Sequence, residues 1–135
     1  ILILAAMEHQ ITGENAGAIR ARIVVEGANE GVAPDALDFL AENDITVIPG
    51  IAANVGGVVV SFLEWSRNRG SRRHEVDTMT DNLWVQQELS SITEKVIRDV
   101  YRKSVELSST LPHAALRLAI ERIYEQLKRK HGYVK

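Results

Sequence analysis

The chain has 135 residues, of which 45% are hydrophobic and 25% are charged, and its net charge is −2. This composition is typical of a globular domain with its own core, and it excludes a disordered or fibrous chain. The absence of cysteine excludes disulfides, thiolate metal sites and a cysteine nucleophile. We therefore expect an ordinary cytoplasmic protein.

Three apolar runs, each bounded by polar or turn-forming residues, predict buried parallel strands at residues 1–4, 23–25 and 45–48. Two short helices are predicted between them, from Thr12 to about Arg20 and from Pro34 to about Asn43. Strands that alternate with short helices indicate an α/β fold with right-handed crossovers. Three strands are too few for a complete doubly wound sheet, so we expect the second half of one. We also expect a chain cut from a longer protein, because it opens within an apolar run.

Helical spacing dominates the remainder of the chain. It predicts three longer helices, at residues 55–70, 80–108 and 112–130, with Gly132 as the last cap. The polar segment 66–74 is predicted to be the connector, which divides the chain into residues 1–70 and 71–135. The last helix carries an apolar stripe formed by Leu116, Ile120, Ile123 and Leu127.

The charge is unevenly distributed along the chain. Residues 1–64 include 2 basic and 9 acidic residues, a net charge of −7, whereas residues 65–135 include 14 basic and 9 acidic residues, a net charge of +5. These later basic residues alternate with Glu and Asp at helical spacing, which is typical of a solvated helix face. We therefore expect no nucleic acid partner. No apolar run approaches the ~20 residues that cross a membrane, so no membrane partner is expected either.

Two asparagines follow neighbouring predicted strands. Asn29 comes shortly after the strand at 23–25, and Asn54 comes shortly after the strand at 45–48. Open α/β sheets bind ligands at the carboxyl ends of their strands, and an Asn side chain can bind an amide or a ribose hydroxyl there. The alternative is that each asparagine only caps a turn.

Glycines and a following helix complete the candidate site. Gly27 and Gly56–Gly57 would allow a ligand to approach the backbone closely. Val58 and Ser61 are three residues apart on the predicted helix and could contact the same ligand. The alternative for Ser61 is a hydroxyl that bonds back to its own helix.

The sequence offers little for metal or nucleophilic chemistry. The four histidines, at positions 9, 74, 113 and 131, are scattered and form no metal-ligand pattern. The chain also has no Gly-x-Ser-x-Gly elbow, P-loop or Gly-x-Gly-x-x-Gly fingerprint. We therefore predict no metal site and no motif for nucleophilic catalysis in this chain.

Five collinear segments carry a family resemblance, at residues 4–12, 23–29, 53–58, 61–65 and 116–119. On these the chain resembles the carboxyl-terminal part of the glutamate dehydrogenases, in the glutamate/leucine/phenylalanine/valine dehydrogenase superfamily. The resemblance implies a Rossmann-like NAD(P)-binding domain in residues 1–70. It also implies a helical segment, residues 71–135, that packs back across an interdomain cleft. The implied enzyme is a hexamer that interconverts glutamate with 2-oxoglutarate and ammonium.

The same resemblance implies roles for individual residues. It places Asn29 and Asn54 at the nicotinamide and ribose part of NAD or NADP, and we predict that the neighbouring Gly27 also belongs to this cofactor site. It places Val58 and Ser61 at the substrate side chain, where the serine hydroxyl favours glutamate over an apolar amino acid.

Other features depart from the family pattern. The family's phosphate loop and its catalytic lysine and aspartate lie upstream, so the resemblance implies no catalytic residue in this chain. We therefore expect these 135 residues alone to lack activity. Three positions at the edge of the sheet where the cofactor is expected also differ from the family. They are the turn at Glu30–Ala33, Gly50, and Val55. Three alternatives therefore stay open: a non-catalytic regulatory or oligomerisation subunit derived from a dehydrogenase, a helical assembly module, and a Leu/Phe/Val dehydrogenase relative.

Overall fold

A three-stranded parallel sheet and five α-helices make up the computed structural model, which describes residues 1–69 and 78–131. The elements in chain order are β1 (Leu2–Leu4), a 3-10 helix (Ala16–Ala18), β2 (Ile23–Glu26), α1 (Pro34–Glu42), β3 (Thr46–Ile48), α2 (Gly50–Ala53), α3 (Gly56–Arg69), α4 (Thr78–Leu107) and α5 (Leu111–His131). This confirms the predicted α/β fold, a partial parallel sheet followed by long carboxyl-terminal helices.

One face of the sheet is covered, and the other face is open at β1. Its strands lie in the order β1-β2-β3, with Leu2 paired to Val24 and Val24 paired to Val47. These side chains pack with Leu40 of α1 in the main core, and Val24 and Leu40 are fully buried. On the opposite face Ile3 is 64% exposed. Parallel sheets normally have both faces covered, so the described residues leave one face of β1 without a packing layer.

Helix α1 forms where the sequence predicts it. Pro34 occupies the first helical turn, where its missing N–H costs nothing. Asp35 lies in the same turn, close to the positive end of the helix dipole. Its Oδ2 also accepts a hydrogen bond from the Gly13 N–H at 3.2 Å, so Asp35 also joins α1 to the loop after β1.

The predicted helix from Thr12 to Arg20 is wrong, because only Ala16–Ala18 is helical and it forms a single 3-10 turn. The Asn15 side chain accepts a hydrogen bond from the Thr12 N–H at 2.8 Å and donates one to the Gln10 carbonyl at 2.9 Å. Bonds of this kind offer the backbone an alternative to the helical ladder. The segment therefore folds as a loop.

Two further boundaries differ from the prediction. The expected turn after β3 contains the short helix α2, which Pro49 precedes as its amino-terminal cap. The predicted start of the connector, at residue 66, is too early, because residues 66–69 belong to α3. The rest of the connector, including His74, and the predicted cap Gly132 lie outside the described residues.

Helices α4 and α5 pack side by side. Their contact is a small second core in which Ala114 and Ala115 of α5 pack near Val100 of α4 and Ala52 of α2. The apolar stripe predicted on α5 lies elsewhere on the helix, and each of its four residues is more than half exposed: Leu116, Ile120, Ile123 and Leu127. None of the described helices is long and apolar enough to cross a membrane.

Ion pairs also join α4 to α5. Lys103 Nζ lies 3.0 Å from Glu121 Oε2 and 3.1 Å from Glu106 Oε1, and Arg117 Nε lies 2.9 Å from Glu121 Oε1. Hydrogen bonds to Glu121 and then Glu106 raise the pKa of Lys103, and hydrogen bonds from Lys103 and Arg117 lower the pKa of Glu121. The contribution of Glu121 to stability is therefore lost as the pH falls through its lowered folded-state pKa. That of Lys103 is lost as the pH rises through its raised one.

The carboxyl end of α4 is a Schellman motif with a serine at its left-handed position. The Ser109 N–H donates to the Ser104 carbonyl at 3.0 Å and the Ser108 N–H donates to the Val105 carbonyl at 3.2 Å. The φ of Ser108 is 48°, a conformation that glycine adopts without the steric cost of a Cβ. We expect Ser108→Gly to raise the free energy of unfolding by about 1 kcal/mol, as measured by urea denaturation.

The matched control for this prediction is Ser91→Gly, the same change at an exposed position inside α4. Glycine in a helix interior costs about 0.5–1 kcal/mol, so this variant should be less stable. A loss of stability in Ser108→Gly equal to that in Ser91→Gly would contradict the proposed strain at Ser108.

Candidate functional site

The two predicted asparagines meet at the carboxyl edge of the sheet. Asn29 lies in the turn after β2, and Asn54 follows α2 just beyond β3. Asn54 Nδ2 donates a hydrogen bond to Asn29 Oδ1 at 2.6 Å and lies 3.5 Å from the Gly27 carbonyl oxygen. The structure therefore brings these three residues together, as expected from the parallel order of their strands.

The Asn54 side chain does not cap its own turn. The backbone N–H of Asn54 closes α2 by donating to the Gly50 carbonyl at 2.9 Å, while the side chain reaches across to Asn29. Among the described residues, Asn54 Oδ1 and Asn29 Nδ2 have no hydrogen bond partner. One acceptor and one amide donor group thus lie next to each other, a pattern that complements a primary amide or a hydroxyl.

Packing within the fold also explains why position 27 is a glycine. A Cβ at this position would lie 3.2 Å from the Leu4 carbonyl oxygen and 3.3 Å from the Ala5 Cβ. The next residue, Ala28, donates its N–H to the same Leu4 carbonyl at 2.7 Å. The absence of a side chain at Gly27 therefore lets β1 and the turn after β2 approach each other closely.

The other glycines differ from each other. A Cβ on Gly56 would lie 3.4 Å from Leu89 of α4, so Gly56 faces that helix. A Cβ on Gly57 would have nothing within 4 Å. Only Gly57 therefore borders open space at the start of α3.

Val58 and Ser61 are both exposed on the first two turns of α3, and Val58 is 74% exposed. Within the described part of the chain the Ser61 hydroxyl makes no hydrogen bond. By contrast, Ser104 Oγ donates back to the Tyr101 carbonyl of its own helix at 2.7 Å. Ser61 thus presents an exposed hydroxyl on the helix that follows Asn54, and its role in ligand binding stays a prediction.

A buried carboxylate beneath the asparagines was missed by the sequence reasoning. Glu26, the last residue of β2, is 7% exposed. Its Oε1 accepts the Val32 N–H at 2.8 Å and its Oε2 accepts the Gly50 N–H at 2.8 Å. The available signal was strand periodicity, since Glu26 lies two residues after the buried Val24 and so points to the same face.

The unusual turn after Asn29 is held by the loop after β1. Glu30 and His9 both have positive φ, 50° and 51°, and the His9 N–H donates to the Glu30 carbonyl at 2.7 Å. Their side chains approach to 3.6 Å between His9 Nε2 and Glu30 Oε2. The sequence departure at Glu30 is therefore accommodated without opening the turn.

The polar groups at this edge of the sheet are hydrogen-bond donors and acceptors, and the nearby carboxylate is already engaged. Both oxygens of this buried carboxylate, Glu26, accept backbone N–H groups. Residues 1–69 and 78–131 contain no cluster of His, Asp or Glu that could hold a metal ion.

An apolar cleft lies elsewhere, between α4 and the segment after β3. It measures about 550 Å³ and is lined mostly by apolar side chains, among them Ile48, Ile97 and Tyr101. It includes neither asparagine. We place the candidate site at the asparagines because convergent polar groups, rather than volume, provide recognition.

Comparison with known proteins decides the family. The family model for glutamate/leucine/phenylalanine/valine dehydrogenases matches residues 1–132. The chain belongs to this family. Over 133 residues, it is 38% identical to the NADP(+)-dependent glutamate dehydrogenase of Pyrobaculum calidifontis, a match that covers 95% of this chain and 29% of that protein. The NAD-specific glutamate dehydrogenase A of Halobacterium salinarum is 38% identical over 125 residues, covering 93% of this chain and 27% of that protein.

A solved structure of the same family has a similar fold. The hetero-hexameric glutamate dehydrogenase from Thermus thermophilus, in its Leu bound form, superposes with a TM-score of 0.81 at 30% identity. That match covers 92% of this chain and 28% of that one. This member of the dehydrogenase family thus spans under a third of the length of these relatives. The matches confirm the resemblance to glutamate dehydrogenases read from the sequence.

Proposed function

We propose that the chain is the carboxyl-terminal portion of an NAD(P)-dependent glutamate dehydrogenase, which deaminates L-glutamate oxidatively to 2-oxoglutarate and ammonium. The observation that carries the proposal is the asparagine pair, in which Asn54 Nδ2 lies 2.6 Å from Asn29 Oδ1 at the carboxyl ends of two parallel strands. Membership of the dehydrogenase family and the names of its relatives support the same reaction.

The donor and acceptor groups of the pair fit the nicotinamide end of a cofactor. Asn54 Oδ1 is placed to accept a hydrogen bond from a carboxamide, and Asn29 Nδ2 to donate one to a ribose hydroxyl. Gly27 contributes its carbonyl oxygen next to Asn54 Nδ2. When bound, the nicotinamide supplies the hydride chemistry, and these residues orient it. The two relatives are named for NADP and for NAD, and the proposal covers both cofactors.

The proposed substrate contacts come from α3. Val58 and Ser61 are exposed and one helical turn apart, so they can face the same ligand. The exposed Ser61 hydroxyl is suited to donate a hydrogen bond to the side-chain carboxylate of glutamate. An amino acid with an apolar side chain would leave that hydroxyl unpaired, and this supports glutamate over leucine, phenylalanine or valine.

The proposal extends to assembly. Four apolar residues on one stripe of α5 are more than half exposed, and we propose that residues 71–135 pack this stripe back across an interdomain cleft. The complete protein is proposed to be a hexamer, as the relative from Thermus thermophilus is named to be.

A second candidate, a non-catalytic subunit derived from a dehydrogenase, has one observation in its favour. The only carboxylate buried beneath the asparagine pair among the described residues is Glu26, and both its oxygens are occupied by backbone N–H groups. Such a subunit would keep the sheet and lose turnover.

Titration of NADH and NADPH into the complete protein tests the first proposal. Asn54→Ala removes one or two hydrogen bonds, each worth about 0.5–1.5 kcal/mol, so the dissociation constant of the preferred cofactor should rise about tenfold. Asn43→Ala is the control, since Asn43 Nδ2 donates to the Phe39 carbonyl at the end of α1, away from the site. Unchanged affinity in Asn54→Ala would remove that residue from the site.

The same assays separate the two candidates. The 135 residues alone should not oxidise glutamate, whereas the complete protein should. Turnover by the isolated segment would overturn its proposed inactivity. A complete protein without turnover would favour the non-catalytic subunit.

A further inference from the structure

Glu26 connects the two segments that carry the asparagines. Val32 belongs to the segment between β2 and α1, which includes Asn29. Gly50 begins α2, which Asn54 closes. One carboxylate at the end of the central strand accepts an N–H from each segment, both at 2.8 Å. Glu26 therefore sets the position of both segments relative to the sheet.

The two segments lie close together around Gly50. A Cβ on Gly50 would lie 3.1 Å from the Ala28 carbonyl oxygen and 3.4 Å from Asn54 Nδ2. The two segments are thus already in contact beside the carboxylate. The Gly50 backbone therefore lies close to both Ala28 and Asn54.

We propose that Glu26 is a positioning residue that fixes the Asn29–Asn54 pair for the nicotinamide end of the cofactor. The identity of the ligand rests on the proposed function, whereas the positioning of the pair does not. The carboxylate suits this task because it has two acceptor oxygens and no donor, so it satisfies two N–H groups at once. A glutamine retains one acceptor and turns an NH₂ group towards the other N–H.

Glu26→Gln in the complete protein is the test. We expect the side-chain amide NMR signals of Asn29 and Asn54 to shift and the cofactor dissociation constant to rise at least tenfold. Glu30→Gln is the matched control, because it removes the same charge from a largely exposed side chain on the same segment. It should change the dissociation constant by less than twofold.

A double-mutant comparison distinguishes positioning from general damage. In an Asn29→Ala/Asn54→Ala background, Glu26→Gln should weaken cofactor binding by less than twofold further, because the groups that it positions are gone. A full tenfold loss in that background would overturn the proposal. So would unchanged Asn29 and Asn54 amide signals in Glu26→Gln.

Two further outcomes are informative. If Glu26→Gln does not fold, the unsubstituted protein decides, since NMR correlations across hydrogen bonds should link the Val32 and Gly50 amides to the Glu26 carboxylate carbon. Their absence would overturn the proposal. If the unsubstituted protein binds neither cofactor, the proposed function fails. The amide signals in Glu26→Gln then still support or overturn the positioning role.

Discussion

Leu40→Ala should lower the free energy of unfolding by about 2–5 kcal/mol. Leu40 is 0% exposed and packs with Val24 and Val47 beneath the sheet. Truncation removes apolar contacts and leaves a cavity that the surrounding strands can fill only in part. Urea denaturation followed by circular dichroism measures the loss.

The control for this prediction is the neighbouring residue. Phe39 is 40% exposed, so Phe39→Ala removes side-chain area that is already partly in water. Its loss should be smaller than that of Leu40→Ala. The reverse order would mean that α1 is rotated relative to the sheet.

Ala114→Glu should destabilise the protein by about 3–5 kcal/mol, because it places an unpaired carboxylate in a buried contact. Ala114 is 0% exposed and packs near Val100 of α4. The long side chain would also separate α5 from α4. Chemical denaturation measures the loss, and amide exchange in α5 should rise with it.

Leu116→Glu tests the same helix on its other face. Leu116 is 55% exposed in these 135 residues, so a charge there should change the stability of this segment, measured alone, by no more than about 0.5 kcal/mol. Equal losses from Ala114→Glu and Leu116→Glu would contradict the observed orientation of α5.

Local patterns predicted the strands and most helices. The three apolar runs were short and bounded by turn residues, and Pro34 marked the start of α1. The parallel order of the strands was sufficient to place Asn29 and Asn54 together, because parallel strands present their carboxyl ends at one edge.

Features that depend on distant partners were not predictable. Gly50, which donates a hydrogen bond to Glu26, is 24 residues away in the sequence, and no local pattern predicts this bond. The buried face of α5 could not be predicted either. The face that packs against α4 carries small alanines, whereas the exposed face carries the larger Leu and Ile residues. For the segment after Thr12, the side-chain bonds of Asn15 outweighed an apparent helical spacing.

Strand β1 lies at one edge of the sheet and has a side that is unpaired among the described residues. On one side of the sheet, α5 contacts β3. On the other side, the outer edge of β1 pairs with none of the described residues, and Ile1 and Ile3 are 84% and 64% exposed there. The free edge of β1 is therefore available for pairing with a further strand.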